Sequence, residues 1–242
     1  RQGENRPFGR VWESVFRASF PPGHPYRWLP IGSMEDLNAA TLDDVHEWFR
    51  TFYGAANVVL VLAGDIDVAT AREKAQKYFG HIAPGPGLDR PGTWVAARTE
   101  STREIMHDQV AQTRLHRFWN TAPDGSLDAE LLSIVGQILG GGKTSRLYER
   151  LVYREQMADT VNAGLSGFEI AGLFGITADV KAGVPHARVE AAIDEELKRF
   201  IAKGPTDAEL ARARTTIRAG FIKGLERIGG FGGKADVLAA CE

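Results

Sequence analysis

The amino-acid sequence predicts an α+β fold with a largely antiparallel sheet. Three observations predict it. A helix, strand, helix pattern covers residues 41–79, strands followed by helices cover residues 104–225, and a segment rich in proline and glycine separates them. Strands followed by helices are typical of α+β domains. An apolar strand followed by a helix occurs in both parts, at 58–79 and 173–200, and this weak internal similarity supports two related halves.

The first part contains two predicted helices and one predicted strand. A helix is expected from Thr41 to Tyr53, because Thr41 can cap its N-terminus and Asp43 and Asp44 favour its first turn. Residues 57–63 are almost entirely apolar, which predicts a strand buried on both faces. A second helix is expected over residues 69–79.

The separating segment, residues 83–92, contains three prolines and three glycines, which cannot sustain a helix or a sheet ladder. The second part is predicted to begin with a strand within residues 104–119 and a helix over 127–139. Strands at 160–168 and 173–180 and a helix at 185–201 follow. Thr206 and Glu209 form a capping-box signature for a last helix that runs towards Leu225.

Composition excludes several classes of function. The chain has 242 residues, 43% of them hydrophobic, and a formal net charge of −2, so neither a nucleic-acid footprint nor a membrane-surface patch is expected. The longest apolar run is far shorter than the roughly 20 residues of a membrane-spanning helix. Cys241 is the single cysteine, which excludes an internal disulfide. Both ends are expected to be cut from a longer protein.

No catalytic centre is predicted from the residues alone. Gly140, Gly141 and Gly142 precede Lys143 and Thr144 as in a phosphate-binding loop, but the earlier glycine is out of register and a helix, not a strand, precedes the turn. A nucleotide-binding module is therefore a minor alternative. None of the six histidines has another histidine three or four residues away, so no helical zinc site is expected.

Four stretches, in order along the chain, resemble the pitrilysin/insulinase family of zinc peptidases, which bind zinc through a His-x-x-Glu-His motif. That motif does not occur in this sequence. The stretches are Glu4 to Gly9; His24 to Tyr26 with Pro30 to Gly32; Phe52 to Gly54 with Asn57 and Gly64 to Asp67; and Ser145 to Tyr148 with the residues that follow.

The resemblance implies a division of the chain into three parts. Residues 1–84 would be the C-terminal part of a zinc-peptidase domain, 85–103 a linker, and 104–242 an inactive peptidase-like domain truncated at its C-terminus. The fold would be that of mitochondrial processing peptidase, an α+β fold of two similar domains of mixed, largely antiparallel sheet flanked by helices. The zinc ligands would precede Arg1, with Glu4 as the one candidate ligand inside the chain. The helix over 127–139 takes the place of the ligand helix and offers no histidine.

The resemblance also bears on substrate contacts. Gly140, Gly141, Gly142 and Arg146 would contact substrate, whereas no residue of the chain would be catalytic or bind metal. Where the substrate-binding half of the family has an arginine and, seven residues on, a tyrosine, this sequence has Val152 and Asp159. That pair would come from a second peptidase-like unit, in the same chain or in a partner subunit.

By this resemblance the chain is a non-catalytic portion of a zinc-dependent endopeptidase and forms part of the wall of its substrate chamber. The parent protein would use zinc to hydrolyse peptides or small unfolded proteins, and a periplasmic or cell-envelope location is expected. No nucleic acid and no membrane span are implied. The alternative within the family is a structural or assembly subunit without peptidase activity, and the motif upstream of this chain would distinguish the two.

Overall fold

The structure, a computed structural model, describes residues 6–241, and these form two compact units. The first, called the sheet unit, consists of the described residues up to Ile31 together with Pro91–Arg214. The second, called the helix unit, consists of Gly32–Arg90 and the residues from Thr215 onward. Each unit is therefore made of two separate stretches of sequence.

Eight α-helices and three strands are formed by the described residues. The helices are α1 Val11–Ser19, α2 Met34–Ala39, α3 Leu42–Phe52, α4 Val68–Phe79, α5 Leu127–Gly140, α6 His186–Lys203, α7 Asp207–Leu225 and α8 Lys234–Ala240. The strands are β1 Arg114–Thr121, β2 Ala158–Gly167 and β3 Gly172–Val180. Short 3₁₀ segments lie at Pro25–Arg27 and Ala55–Asn57, and a π-helical segment lies at Tyr148–Arg154.

Side chains cap the N-termini of α3 and α7, as the sequence predicts. Thr41 accepts a hydrogen bond from the backbone N–H of Asp44, and the Asp44 carboxylate accepts one from the backbone N–H of Thr41, which makes a complete capping box for α3. Thr206 and Glu209 form the same reciprocal pair at the start of α7. These caps satisfy backbone donors that a helix N-terminus leaves unpaired.

The sheet of the sheet unit has the strand order β1-β3-β2 and is antiparallel throughout. Arg114 lies opposite Asp179 at one end of the β1–β3 pair, and Thr121 lies opposite Gly172 at the other. The register of β2 shifts between Ala158 and Thr160, which places a bulge at Asp159. With helices flanking this sheet, the predicted α+β class and its largely antiparallel sheet are confirmed.

Two apolar clusters form the core of the sheet unit. The larger one joins α5, the π-helical segment, β2, β3 and α6, and its largest fully buried side chains are Leu139, Leu147, Leu151, Ile176 and Ile193. The smaller one contains Phe16 of α1 and Phe20, which directly follows α1, together with Ala96, Ala171 and Leu173. Strand β3 contributes side chains to both clusters because successive residues of a strand point to opposite faces.

One strand prediction is wrong, and another is confirmed only in part. Residues 58–63 form no strand with any of residues 6–241, and most of their side chains are about half exposed. An apolar run predicts a buried strand only if neighbouring strands cover it, and the described residues supply none. The strand expected within 104–119 is confined to Arg114–Thr121, because only that stretch finds β3 as a partner.

The stretch from 85 to 103, expected to be a linker, makes specific contacts. Trp94 donates its backbone N–H to the carbonyl of Ile170 at 2.9 Å, and Ala96 is buried. Arg103 forms two hydrogen bonds with Glu190 on α6. The assignment of residues 1–84 and 104–242 to a zinc-peptidase domain and an inactive domain stays a prediction.

Candidate functional site

The glycine turn predicted to contact substrate, Gly140 to Gly142, lies at the C-terminal end of α5. Gly140 is the last residue of the helix, and Gly141 donates its backbone N–H to the carbonyl of Gln137. Gly142 has φ of 96°, a left-handed conformation that glycine adopts without strain. The Gln137 side chain in turn donates to the carbonyl of Gly141 at 2.8 Å, so the turn is held from both sides.

Two glycines of α5 let the helix pack directly on the backbone of β2. A Cβ atom at Gly140 would overlap the backbone nitrogen of Ala163, and one at Gly136 would lie 2.8 Å from the Cα of Gly164. Side chains at these positions would push the helix away from the sheet. Gly140 therefore has a packing role that fixes the turn on the sheet, and Gly142 is the exposed member of the predicted group.

Arg146 follows the turn, and its guanidinium is bound by protein groups. Its Nε and Nη2 donate to the two carboxylate oxygens of Glu209 at 2.6 and 2.7 Å, and Nη2 also donates to the carbonyl of Gly204. Glu196, fully buried on α6, lies 3.8 Å from Nη1 and pairs with Arg199 as well. The side chain also lies over the ring of Phe200. These contacts tie the segment after the turn to α6 and α7.

The ion pair shifts the pKa of both partners. Hydrogen bonds from Arg146 are the main reason that the pKa of Glu209 falls to about 2, and the capping contacts with Thr206 lower it further. Hydrogen bonding to Glu209 raises the pKa of Arg146 above its ordinary value. The paired charges are thus part of the folded structure at neutral pH, and the predicted substrate contact of Arg146 is not tested by this geometry.

Val152 and Asp159 occupy the positions at which the resemblance predicts an arginine and a tyrosine. Val152 lies in the π-helical segment and packs, partly buried, against the larger core cluster. Asp159 is exposed at the bulge of β2. Between them, Arg150 donates to Glu155, to Glu195 and to the carbonyl of Ala192. Its guanidinium thus links the π-helical segment to α6.

The described residues do not fit a zinc ion. No group of three or more His, Cys, Asp or Glu side chains within residues 6–241 is arranged to bind a metal. In α5, which the resemblance predicts at the position of the ligand helix, Leu132 packs against the core and Gln137 holds the glycine turn. Glu4, the candidate ligand suggested by the resemblance, lies outside the described residues. No catalytic step through zinc is therefore derived for this chain.

The turn also differs from a phosphate-binding loop. A phosphate-binding loop connects a strand to the N-terminus of a helix, whereas here the fourteen-residue helix α5 leads into the glycines. Lys143 and Thr144 are both exposed. The nucleotide-binding alternative is not supported by this arrangement.

His24, which belongs to one of the four stretches that carry the family resemblance, has a structural role. It is fully buried, and its ring stacks on Phe20 with centroids 4.5 Å apart. Its Nδ1 accepts a hydrogen bond from the backbone N–H of Tyr26 at 3.0 Å, so Nε2 carries the proton and donates to the carbonyl of Trp94 at 2.9 Å. The ring thus links Phe20, directly after α1, to the stretch around residue 94.

Replacing His24 with alanine is expected to lower the free energy of unfolding of the sheet unit by about 2–4 kcal/mol, because it creates a cavity and leaves two backbone groups unpaired. Denaturant-dependent hydrogen exchange of the β3 amides measures this change in the free energy of unfolding. The matched control is His107→Ala, an exposed position at which a change within about 0.5 kcal/mol is expected. Equal effects of the two substitutions would contradict the structural role of His24.

No helix among the described residues is both long enough and apolar enough to span a membrane.

Comparison with known proteins supplies the family. The family model of the peptidase M16 inactive domain matches residues 39–217. Zinc protease PqqE of Helicobacter pylori is 26% identical over 234 residues, which cover 92% of this chain and 51% of that protein. The chain thus spans about half the length of the curated relatives it matches.

Two solved structures share the fold. A peptidase M16 inactive domain from Pseudomonas fluorescens superposes with a TM-score of 0.80 at 21% identity and covers 90% of this chain and 52% of that one. A protease from Helicobacter pylori gives a TM-score of 0.78 at 23% identity, with 93% and 55% covered. The resemblance to the pitrilysin/insulinase family is confirmed in this form, and the chain belongs to the peptidase M16 family through its inactive domain.

Proposed function

We propose that this chain is a non-catalytic portion of a zinc-dependent endopeptidase and forms part of the wall of its substrate chamber. The observation that carries the proposal is the match of residues 39–217 to the M16 inactive domain. A relative about twice as long, with which 92% of this chain aligns, is named a zinc protease. The whole protein would hydrolyse peptides or small unfolded proteins.

The contacts at both ends of the glycine turn hold it in place, as a rigid part of the substrate-chamber wall would require. Gly140 fixes the end of α5 on the backbone of β2, and Arg146 ties the next segment to Glu209 on α7. The turn between them leaves Gly142 and Lys143 exposed. A turn held at both ends can present its backbone to an extended peptide without losing much conformational entropy on binding.

Zinc belongs, in this proposal, to the part of the protein that lies outside this chain. The described residues offer no suitable donor set, so this chain would bind and orient substrate rather than activate water. A second peptidase-like unit, in the same polypeptide or in a partner subunit, would complete the chamber and supply the arginine and tyrosine absent at Val152 and Asp159. A periplasmic or cell-envelope location is part of the same proposal.

The activity is tested with the full-length gene product that contains this chain. We expect it to cleave a fluorogenic unfolded peptide, to lose the activity when a chelator removes zinc, and to regain it when zinc is restored. Absence of peptidase activity in a zinc-loaded, folded full-length protein would contradict the proposal and favour the structural-subunit alternative.

The chamber-wall role is tested by photo-crosslinking in the same protein. A substrate peptide with a photoreactive side chain is expected to label the segment from Gly140 to Arg146 in the chelated enzyme, and excess unlabelled peptide should suppress the labelling. Crosslinks that map only to other parts of the full-length protein would show that these residues do not line the chamber.

A further inference from the structure

We propose that His116 makes the packing of α1 on the sheet sensitive to pH. While its imidazole is neutral, α1 and the residues just before it lie on β1. When the imidazole takes up a proton in mildly acidic solution, this part of the chain separates from the strand. The inference concerns a conformational switch within the sheet unit, and it does not depend on the proposed function.

The start of α1 lies along the face of β1 that His116 shares. Side chains of a strand alternate between its two faces, so His116 is on the same face as Arg114 and Phe118. The guanidinium of Arg114 lies 3.9 Å from the centroid of the Phe8 ring, and the ring of Trp12 packs against Phe118 at 5.5 Å between centroids. His116 therefore lies between two contacts that hold this segment on the strand.

The two ring nitrogens of His116 have different surroundings. Nδ1 lies 3.0 Å from the hydroxyl oxygen of Thr177, which is opposite His116 in the register with β3. Nε2 is buried and has no hydrogen-bond partner among residues 6–241. With its hydrogen on Nδ1, the neutral ring donates to Thr177 and leaves only a lone pair at Nε2. Protonation adds an N–H at Nε2, and a buried donor without an acceptor is unfavourable.

The charged groups around His116 in the described part of the chain are paired or exposed. Arg114 donates from Nε and Nη2 to the two carboxylate oxygens of Asp179 at 2.5 and 3.2 Å. The charged side chains of the segment that lies on β1 are all exposed, namely Arg10, Glu13 and Arg17. The segment thus brings no buried charge to His116 that would stabilise an imidazolium.

These surroundings favour the neutral ring. Burial is the main reason that the pKa of His116 lies below its ordinary value of 6.5; the charge of Arg114 lowers it further, and Asp179 opposes the shift. A histidine whose pKa is lower in the folded chain gives stability that is complete above the ordinary value and is lost as the pH falls below it. Asp179 stays ionised in this range, because its own pKa is lowered from 3.8.

Helix α1 can separate from the strand without unfolding the rest of the sheet unit. Phe16 of α1 belongs to the smaller core cluster, and Asn120 donates its side-chain amide to the carbonyl of Ser19. Among the described residues, the larger cluster contains neither His116 nor any residue of α1. Local opening of this kind involves the less stable elements of a protein. It would expose Nε2 to water, which accepts the hydrogen bond that the packed strand does not provide.

Hydrogen exchange of the 242-residue chain tests the inference, with each rate taken relative to that of an unstructured amide at the same pH. Between about pH 7.5 and about pH 5, we expect the protection of amides 15–20 to fall at least about fivefold, the smallest effect of an unpaired buried donor. The protection of the β3 amides should change little. An NMR titration of the same chain should give the His116 imidazole a midpoint below 6.5.

His116→Phe replaces the imidazole with an apolar ring that does not titrate. In this variant we expect the protection of amides 15–20 to be the same at both pH values. The matched control is His107→Phe, the same change at an exposed histidine, which should respond to pH as the parent chain does.

Three results would overturn the inference. They are equal protection of amides 15–20 at both pH values in the parent chain, a His116 midpoint at or above 6.5, and a pH response that persists in the His116→Phe chain. The last result would assign the response to another histidine, such as the buried His24. The first two are measured on the parent chain, so they decide the question even if His116→Phe does not fold.

Discussion

Replacing Gly140 with alanine is expected to lower the free energy of unfolding of the sheet unit by about 3 kcal/mol or more. The added Cβ would overlap backbone atoms of Ala163 and Asn162, which cannot move aside as a flexible side chain can. Alanine gains only about 1 kcal/mol over glycine from helix propensity, so the clash decides the sign. Denaturant-dependent hydrogen exchange of the β3 amides measures the change.

Gly164→Ala is the matched control, because Gly164 lies on β2 in the same contact region but a Cβ there meets nothing within 4 Å. We expect that variant to be as stable as the parent chain or slightly more stable. A Gly140→Ala chain that unfolds at the same denaturant concentration as Gly164→Ala would contradict the close packing of α5 on β2.

Replacing Glu209 with glutamine is expected to lower the stability of the sheet unit by up to about 3 kcal/mol at pH 7, and by much less near pH 2. The carboxylate has a pKa of about 2 in the folded chain and an ordinary value of 4.5. A depressed folded pKa gives stability that is complete above the ordinary value and is lost as the pH falls from about 4.5 towards 2. The variant lacks that carboxylate at every pH.

The control for Glu209 is Glu149→Gln. Glu149 also pairs with an arginine, Arg154, but both side chains are largely exposed, so the expected loss is below about 0.5 kcal/mol. Unfolding measured between pH 2 and pH 7 compares the three chains. If Glu209→Gln retained the acid dependence of the parent chain between pH 4.5 and pH 2, the Arg146–Glu209 pair would not be the source of it.

Local signals predicted much of the fold. The capping residues Thr41 and Thr206 marked the starts of α3 and α7, because a cap depends only on residues within one helical turn. The helix predicted over 127–139 is observed as Leu127–Gly140. Strands β2 and β3 were also predicted to within about two residues, because a short loop joins them and they pair with each other.

Features that depend on distant partners were missed or misplaced. Residues 58–63 have the composition of a central strand, but composition does not show whether neighbours are present. The buried role of His24 depends on Trp94, seventy residues away. Glu209 was predicted as a cap, but its pairing with Arg146 joins elements 63 residues apart in sequence. No short-range pattern encodes such contacts.

The candidate site was predicted only in part for the same reason. The glycines of the turn were found from their composition, and the structure gives Gly140 a packing role that depends on the approach of β2. The family was identified from four short stretches spread along the chain, which no periodicity argument would supply. Their order reflects a shared ancestry and not a local physical signal.

A calorimetric zinc titration of the 242-residue chain tests most directly whether this chain is a non-catalytic part of a zinc peptidase. Peptide cleavage is assayed on the same sample. We predict no zinc binding tighter than about 1 mM and no cleavage, because a single carboxylate without its imidazole partners does not hold zinc tightly. Stoichiometric tight binding accompanied by peptide cleavage would contradict the account.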